Sequence, residues 1–173
     1  MCIIDRSKKL KYKKKRCIIA SGGGGGIMEA ANKGATEAKG LAVGLSISLP
    51  FEKVGNQWIT DDLEINFHYF FMRKFWFLYL AKAIVVWPGG FGTLDELMEA
   101  LTLIQTKKLR KKIPIVLFDN NYWDNVVNWD FLLDRGVMSR ADLDLFKICN
   151  TVDEAYKYLT KKIRATHLRG PNF

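Results

Sequence analysis

The stretch "RCIIASGGGGGIMEAANKGATEAKG" (residues 16–40) joins a short apolar run to an amphipathic one through five consecutive glycines. The run at 16–21 predicts a buried strand, and the segment after the glycines predicts a helix that ends near Gly40. A strand, a glycine-rich turn and a helix in this order form the repeating unit of parallel α/β proteins. This stretch therefore sets the expectation for the rest of the chain.

The same alternation continues to the end of the sequence. Further strands are predicted at 41–50, 83–87, 113–118 and 146–151, helices at 67–82, 94–109, 123–136 and 152–165, and a loop at 51–62. Apolar strands that alternate with helices are typical of a parallel sheet covered on both faces. We therefore expect an α/β fold, a Rossmann-like open parallel sheet, in one nucleotide-binding domain at 17–165. A basic segment (1–16) precedes this domain and a short tail (166–173) follows it.

Composition supports a globular domain and narrows the choice of partners. The 173 residues are 49% hydrophobic and 13% aromatic, which is enough to bury a sizeable core. The net charge of +9 is concentrated in residues 1–16, which alone carry +7, so the remainder is close to balance. The basic segment is either a solvated stretch or an arm for nucleic acid. The near-neutral remainder argues against nucleic acid as the main partner.

Other sequence features exclude several kinds of site. The three cysteines show neither CxxC spacing nor an even count, so we expect reduced thiols and a cytoplasmic protein. The most apolar stretch, 67–87, contains Arg73, Lys74 and Lys82, so it is not expected to span a membrane. Neither histidine has a neighbour at metal-ligand spacing. We therefore predict no metal site and no cofactor.

A second glycine loop, "PGGFGTLDE" (88–96), also follows a predicted strand and opens a predicted helix. Neither loop fits the dinucleotide fingerprint GxGxxG or the Walker A pattern. Glycine nevertheless lets backbone N–H groups approach an anion, and a helix amino terminus adds about half a positive charge. In open α/β sheets ligands bind beyond the carboxyl ends of the strands. The two loops are therefore either tight turns or two parts of one phosphate site.

Glu96 permits two interpretations. Thr93 and Glu96 have the spacing of a capping box, in which the threonine caps the helix and the glutamate binds back to it. That role contributes roughly 1 kcal/mol and requires no chemistry. The alternative is a catalytic carboxylate beside a phosphate cradle.

Two basic residues interrupt the aromatic segment "FHYFFMRKFWF" (67–77). Arg73 and Lys74 either extend to solvent or reach the ligand site. An arginine close to Glu96 would orient the carboxylate or bind phosphate with two hydrogen bonds. Spacing alone leaves both possibilities open.

Taken together, these motifs resemble the Lonely Guy (LOG) family of nucleotide phosphoribohydrolases, often labelled lysine decarboxylase-like. The motif "PGGFGTLDE" (88–96) matches PGGxGTxxE, and "MRK" (72–74) matches the Arg-Lys signature before it. The motif "GGGGGIMEAANKGA" (22–35) is similar to GGGPGIMEAANxGA, and "LPFE" (49–52), "QTKK" (105–108) and "YW" (122–123) also fit. The similarity runs from about Cys17 to Lys162.

This resemblance implies hydrolysis of the N-glycosidic bond of nucleoside 5′-monophosphates, AMP or N6-modified AMP, to a free base and ribose 5-phosphate. It implies a homodimer and a catalytic pair, Arg73 and Glu96. The implied substrate and phosphate contacts are Gly22, Gly23, Gly24, Gly26, Met28, Glu29, Glu52, Lys74, Gly89, Gly90, Phe91, Gly92 and Thr93. The alternative is a nucleotide or cofactor carrier of the same fold without turnover. Lysine decarboxylation itself is not favoured, because nothing marks a Schiff-base lysine for pyridoxal phosphate.

The amino-terminal region departs from the family pattern. Family members usually begin with a strand and a helix before the first glycine loop, whereas only sixteen mostly basic residues precede Cys17 here. The resemblance therefore predicts that the first strand is missing or divergent.

Overall fold

The computed structural model describes residues 17–48 and 55–166. The elements in chain order are β1 (Ile19–Ser21), α1 (Ile27–Glu37), β2 (Ala42–Ile47), β3 (Glu64–Phe67), α2 (Phe70–Leu80), β4 (Ile84–Val86), α3 (Phe91–Gln105), β5 (Ile115–Phe118), α4 (Asn120–Val126), α5 (Trp129–Asp134), a 3₁₀ helix (Arg140–Leu145), β6 (Phe146–Cys149) and α6 (Val152–Thr166). The chain forms two compact units, Met1–Leu80 and Ala81–Phe173. Within the described residues, each unit has its own three-stranded sheet.

The sheet of the first unit has the order β1-β2-β3, and both strand pairs are parallel. Helix α1 packs on β1 and β2 through small side chains. Ala35 of α1 and Ala42 of β2 are 1% and 0% exposed, and Ile19 and Ala38 pack against them. Two alanines at the contact let the helix lie close to the sheet. This close packing fixes the start of α1 relative to the carboxyl end of β1.

The sheet of the second unit has the order β4-β5-β6 and is also parallel. In the central strand, Ile115, Val116 and Leu117 are all 0% exposed. Since successive side chains of a strand point to opposite faces, both faces of β5 are covered. Helix α6 contributes an apolar stripe to this packing, namely Ala155, Leu159 and Ile163. The predicted α/β class with parallel strands and helices on both sides is confirmed.

Strand β3 was not expected from the sequence. Glu64–Phe67 pairs in parallel with β2. The predicted helix at 67–82 includes Phe67, the last residue of this strand, and so begins three residues before α2 does. The side chains of β3 alternate polar and apolar, and none is fully buried. Such alternation is a strand signal, but here it covers only four residues and runs directly into the apolar segment that predicts a helix.

The predicted helix at 123–136 is wrong as a single element. The structure has two short helices, α4 and α5, separated by the extended backbone of Val127. Asn128 then caps α5, because its side-chain oxygen accepts a hydrogen bond from the N–H of Phe131 at 2.9 Å. A 3₁₀ helix, Arg140–Leu145, precedes β6 and was also not predicted.

Several predictions fall outside the described residues. These are the basic segment and the missing or divergent first strand (1–16), the strand end at 49–50, the glutamate of the LPFE motif (Glu52) and most of the tail (167–173). No helix in the described ranges is both long and apolar enough to cross a membrane.

Candidate functional site

The second glycine loop leads from β4 directly into α3. Gly90 is the N-cap residue of α3, with an extended backbone (φ −88°, ψ −155°), and its carbonyl accepts the first helical hydrogen bond from Leu94 at 3.1 Å. In the part of the chain that the structure describes, no side chain caps this helix. Among the described residues, no backbone acceptor takes the N–H groups of Phe91, Gly92 and Thr93. A helix that begins this way presents its first donors, and the positive end of its dipole, to an anion.

The capping-box interpretation of Glu96 is wrong. Helix α3 starts at Phe91, so Thr93 lies inside the first turn and Glu96 lies one turn further along. Neither residue is in the position that a capping box requires. Glu96 is half-buried and three residues after Thr93. Because the Cα–Cβ bonds of a helix tilt towards its amino terminus, the side chain of Glu96 leaves the helix on the side of the glycine loop.

Two side chains of the second unit hold Gly89 in place. The hydroxyl of Tyr122, in α4, donates a hydrogen bond to the Gly89 carbonyl. Thr93 packs over the same glycine, so that a Cβ atom added to Gly89 would lie only 2.8 Å from the Thr93 Cβ. Glycine is therefore required at position 89 by the close approach of Thr93, apart from any ligand. Phe91, next in the loop, is 92% exposed.

The first glycine loop is held by polar side chains beneath it. Asn56 donates to the carbonyls of Gly23 and Gly24, each at 3.0 Å, and the Ser21 hydroxyl accepts from the Gly23 N–H at 3.1 Å. Since the carbonyls of Gly23 and Gly24 are engaged by Asn56, their orientation is fixed. Sequence reasoning missed Asn56, because it lies more than thirty residues away within a predicted loop.

Met28 covers this first loop. A Cβ atom on Gly22 would lie 2.7 Å from the Met28 sulfur, and one on Gly24 would lie 2.8 Å from its terminal methyl group. Glu29, the third residue of α1, places a carboxylate in the first turn of the helix. A carboxylate at this position stabilises the helix but repels a second anion. The two glycine loops are therefore not equivalent.

Buried polar groups lie near the first loop. Glu64 accepts hydrogen bonds from the Ser46 hydroxyl at 3.0 Å and from the Gly55 N–H at 2.9 Å, which ties β2, β3 and the loop between them together. Asn32 of α1 is 0% exposed, and within the described residues neither of its side-chain polar atoms has a hydrogen-bond partner. Glu64 and Asn32 were not singled out from the sequence, although Asn32 lies within the motif "GGGGGIMEAANKGA" (22–35).

Arg73 and Lys74 lie in α2 and are half-buried. The guanidinium carbon of Arg73 lies 5.2 Å from the centre of the Phe70 ring. A cation over an aromatic face is stabilised by the ring quadrupole, so this arginine packs along its own helix. Arg73 belongs to the first unit and Glu96 to the second. Their action as a catalytic pair stays a prediction.

Among the described basic side chains, the one with the largest pKa shift lies away from the glycine loops. Burial, together with the positive charge of Lys82, lowers the pKa of Lys111 to about 8. Lys111 precedes β5, whereas Gly89 follows β4. Because β4 and β5 are parallel, these residues lie at opposite edges of the sheet. Lys111 is therefore not part of the glycine-loop site.

The parallel sheets and the glycine-capped helix after β4 define a Rossmann-like α/β protein. The chain belongs to the lysine decarboxylase-like, or LOG, family: the family model described as "Possible lysine decarboxylase" matches residues 28–159, well over half of the chain. A curated relative, cytokinin riboside 5′-monophosphate phosphoribohydrolase LOG7 of Arabidopsis thaliana, is 36% identical over 59 residues. That match covers 34% of this chain and 27% of the relative.

Two solved structures share the fold. The X-ray structure of TM1055, a structural genomics target, superposes with a TM-score of 0.61 at 25% identity, covering 92% of this chain and 86% of that one. The molybdenum cofactor binding protein from the phototrophic bacterium Rippkaea orientalis has a TM-score of 0.58 at 21% identity, covering 87% and 80% of the two chains. The second likeness concerns the fold alone.

Proposed function

We propose that the protein hydrolyses the N-glycosidic bond of nucleoside 5′-monophosphates, releasing a free base and ribose 5-phosphate. The observation that carries this proposal is the start of α3, where a glycine cap leaves successive backbone N–H groups available and Glu96 follows one turn later. Membership of the LOG family and the name of the Arabidopsis relative support the same chemistry. Lysine decarboxylation, which the family description mentions, is not the proposed reaction.

In this proposal the phosphate of the substrate is bound within the second unit. The 5′-phosphate binds at Gly90–Thr93, where the first turn of α3 has no acidic side chain. In the first unit, the loop before α1 is covered by Met28 and carries Glu29, so it is less suited than the start of α3 to a negative charge. Gly22, Gly23, Gly24 and Gly26 stay substrate contacts that the family resemblance implies. Phosphate binding remote from the reacting carbon then positions the ribose for reaction.

Glu96 and Arg73 supply the chemistry in this proposal. Cleavage of the bond to the base develops positive charge at C1′ of the ribose, as in glycoside hydrolysis. An ionised Glu96 stabilises that charge and either activates water or attacks C1′. The family resemblance makes Arg73 the second member of the catalytic pair, and Lys74 and Glu52 further substrate contacts.

The direct test is base release from AMP and from an N6-substituted AMP by the purified full-length chain. The wild type is expected to release base and ribose 5-phosphate, and Glu96→Gln is expected to lose about 100-fold or more of the rate. Asp95→Asn is a matched control, because it removes the same charge from the neighbouring, exposed residue of α3. It is expected to retain most of the rate. Full activity in Glu96→Gln, or no activity in the wild type, contradicts the proposal.

The alternative is a carrier that binds a nucleotide or cofactor without turnover. The same experiment distinguishes it. A carrier binds AMP in calorimetry but releases no base over hours of incubation. In that case Glu96→Gln changes affinity alone.

We also propose that the protein is a cytoplasmic homodimer assembled through α2. Phe71, Phe75 and Tyr79 lie four residues apart on one stripe of this helix, and each is more than half exposed. Exposed aromatic stripes are typical of protein interfaces. The dimer that the family resemblance implies would bury this stripe. The buried, reduced thiol of Cys149 is consistent with the cytoplasm.

A further inference from the structure

Tyr122 contacts the phosphate loop from a separate element. It lies in α4, after β5, and its hydroxyl donates a hydrogen bond to the carbonyl oxygen of Gly89, thirty-three residues earlier. The backbone N–H of Tyr122 is itself held by the Asp119 carboxylate at 3.3 Å. The next residue, Trp123, is 0% exposed, and its ring N–H donates to the Phe118 carbonyl at 3.0 Å. The tyrosine therefore stands on an anchored helix.

The hydrogen bond fixes the orientation of one peptide group. In a trans peptide the C=O and the following N–H point in opposite directions. Because the Gly89 carbonyl points at Tyr122, the N–H of Gly90 points away from Tyr122. That N–H immediately precedes the available donors of Phe91, Gly92 and Thr93. Its direction therefore decides whether a fourth donor joins them.

This peptide is also the easiest in the loop to turn over. It joins two glycines, which adopt positive and negative φ with little cost. A flipped peptide would direct the Gly89 carbonyl, and not the Gly90 N–H, at a bound anion. The partial negative charge of the carbonyl oxygen would then repel the anion, where the N–H would attract it. A hydrogen-bond donor that holds the Gly89 carbonyl on the side away from the anion prevents this peptide flip.

We infer that Tyr122 is a positioning residue for phosphate binding, holding the Gly89–Gly90 peptide in the orientation that presents its N–H to the anion. The inference rests on the proposed function in one respect only, the binding of a phosphate group at the start of α3. It does not require hydrolysis. Tyr122 itself does not touch the substrate.

The test measures the binding of ribose 5-phosphate and of ribose to the full chain by calorimetry. Tyr122→Phe removes the hydroxyl and keeps the ring. Since a hydrogen bond between neutral groups contributes on the order of 1 kcal/mol, ribose 5-phosphate is expected to bind about fivefold to tenfold more weakly. Ribose, which lacks the phosphate, is expected to bind as it does to the wild type. Tyr158→Phe, on α6 of the same unit, is the matched control and leaves both affinities unchanged.

The outcomes separate the inference from the proposed function. Unchanged phosphate affinity in Tyr122→Phe overturns the inference, and so does an equal weakening of both ligands, which indicates a general structural effect. Absence of ribose 5-phosphate binding in the wild type also overturns it. If phosphate binding shows the expected selective loss while the wild type releases no base from AMP, the inference stands and the proposed hydrolysis fails.

Discussion

Neighbouring glycines of the first loop are required for different reasons. A side chain at Gly22 would meet only the flexible end of Met28, at 2.7 Å from its sulfur. Gly23 has a positive φ of 80°, and a Cβ there would collide with the hydroxyl of the buried Ser46. A thioether can rotate away, but a backbone in the left-handed region cannot change without moving the loop. The sequence of five identical letters conceals this difference.

This difference predicts unequal effects of the same substitution. Gly23→Ala is expected to lower the free energy of unfolding by about 2 kcal/mol or more, from left-handed backbone strain together with the clash at Ser46. Gly22→Ala is expected to cost less than about 1 kcal/mol, because Met28 can adopt another rotamer. Urea unfolding of both variants makes the comparison. Equal losses of unfolding free energy in the two variants would contradict this difference between Gly22 and Gly23.

At the level of single elements, the sequence predicted the buried parts best. In strands β4 and β5 and helix α6 the apolar residues of the sequence follow the pattern that a buried strand or helix requires. The positions of these elements were therefore predicted to within a few residues. The start of α3 was predicted three residues too late, because Thr93 looked like a cap. The helix is instead capped by the backbone of Gly90, which leaves no side-chain signal. The contact from Tyr122 to Gly89 depends on the sheet bringing distant residues together, which no local pattern records.

The connection from α3 to β5 provides a prediction about pH. Because the pKa of Lys111 is lowered from 10.5 to about 8 in the folded protein, the unfolded chain binds more protons between these values. Stability therefore rises with pH across that window, on the order of 1–3 kcal/mol. The unfolding free energies of wild type and Lys111→Met are measured from pH 7.5 to 10.5. The value for the wild type minus the value for Lys111→Met should rise across this range.

A second variant separates the two causes of this shift. Burial is the larger cause and the charge of Lys82 the smaller. Lys82→Met should therefore reduce the rise without removing it. If Lys111→Met and wild type have parallel stability curves over the whole window, the lowered pKa is wrong.

For the whole molecule, alternation of strands and helices was sufficient to predict the class but not the pairing of strands. Apolar strands separated by helices indicate parallel pairing. They do not say which strands are neighbours, and β3 was missed because it is only four residues long and its last residue was assigned to the helix that follows. The described strands pair in chain order within each unit, β1 to β3 and β4 to β6. The single domain at 17–165 stays a prediction.

The aromatic stripe of α2 provides a test of assembly. Phe75→Glu places a charge in the middle of the stripe, beside Tyr79, whose ring is stacked at 5.4 Å. If two copies meet there, a buried unpaired carboxylate should shift the protein to monomer, as measured by sedimentation at several concentrations. Gln57→Glu adds the same charge at an exposed site outside the helix and is the control for charge change. A wild type that sediments as a monomer contradicts the proposed assembly.

The donors at the start of α3 belong to the main chain, which every amino acid carries. Single substitutions at these positions change the shape of the loop, but they do not delete an N–H unless proline is introduced. An alanine scan would therefore detect the residues that support the loop, such as Tyr122 and Thr93, and miss the main-chain atoms that are proposed to bind phosphate. Because these donors belong to the main chain, they also limit how mutation could produce resistance to an inhibitor. An inhibitor whose acidic group is held mainly by these N–H groups would leave the protein few single mutations by which to escape it.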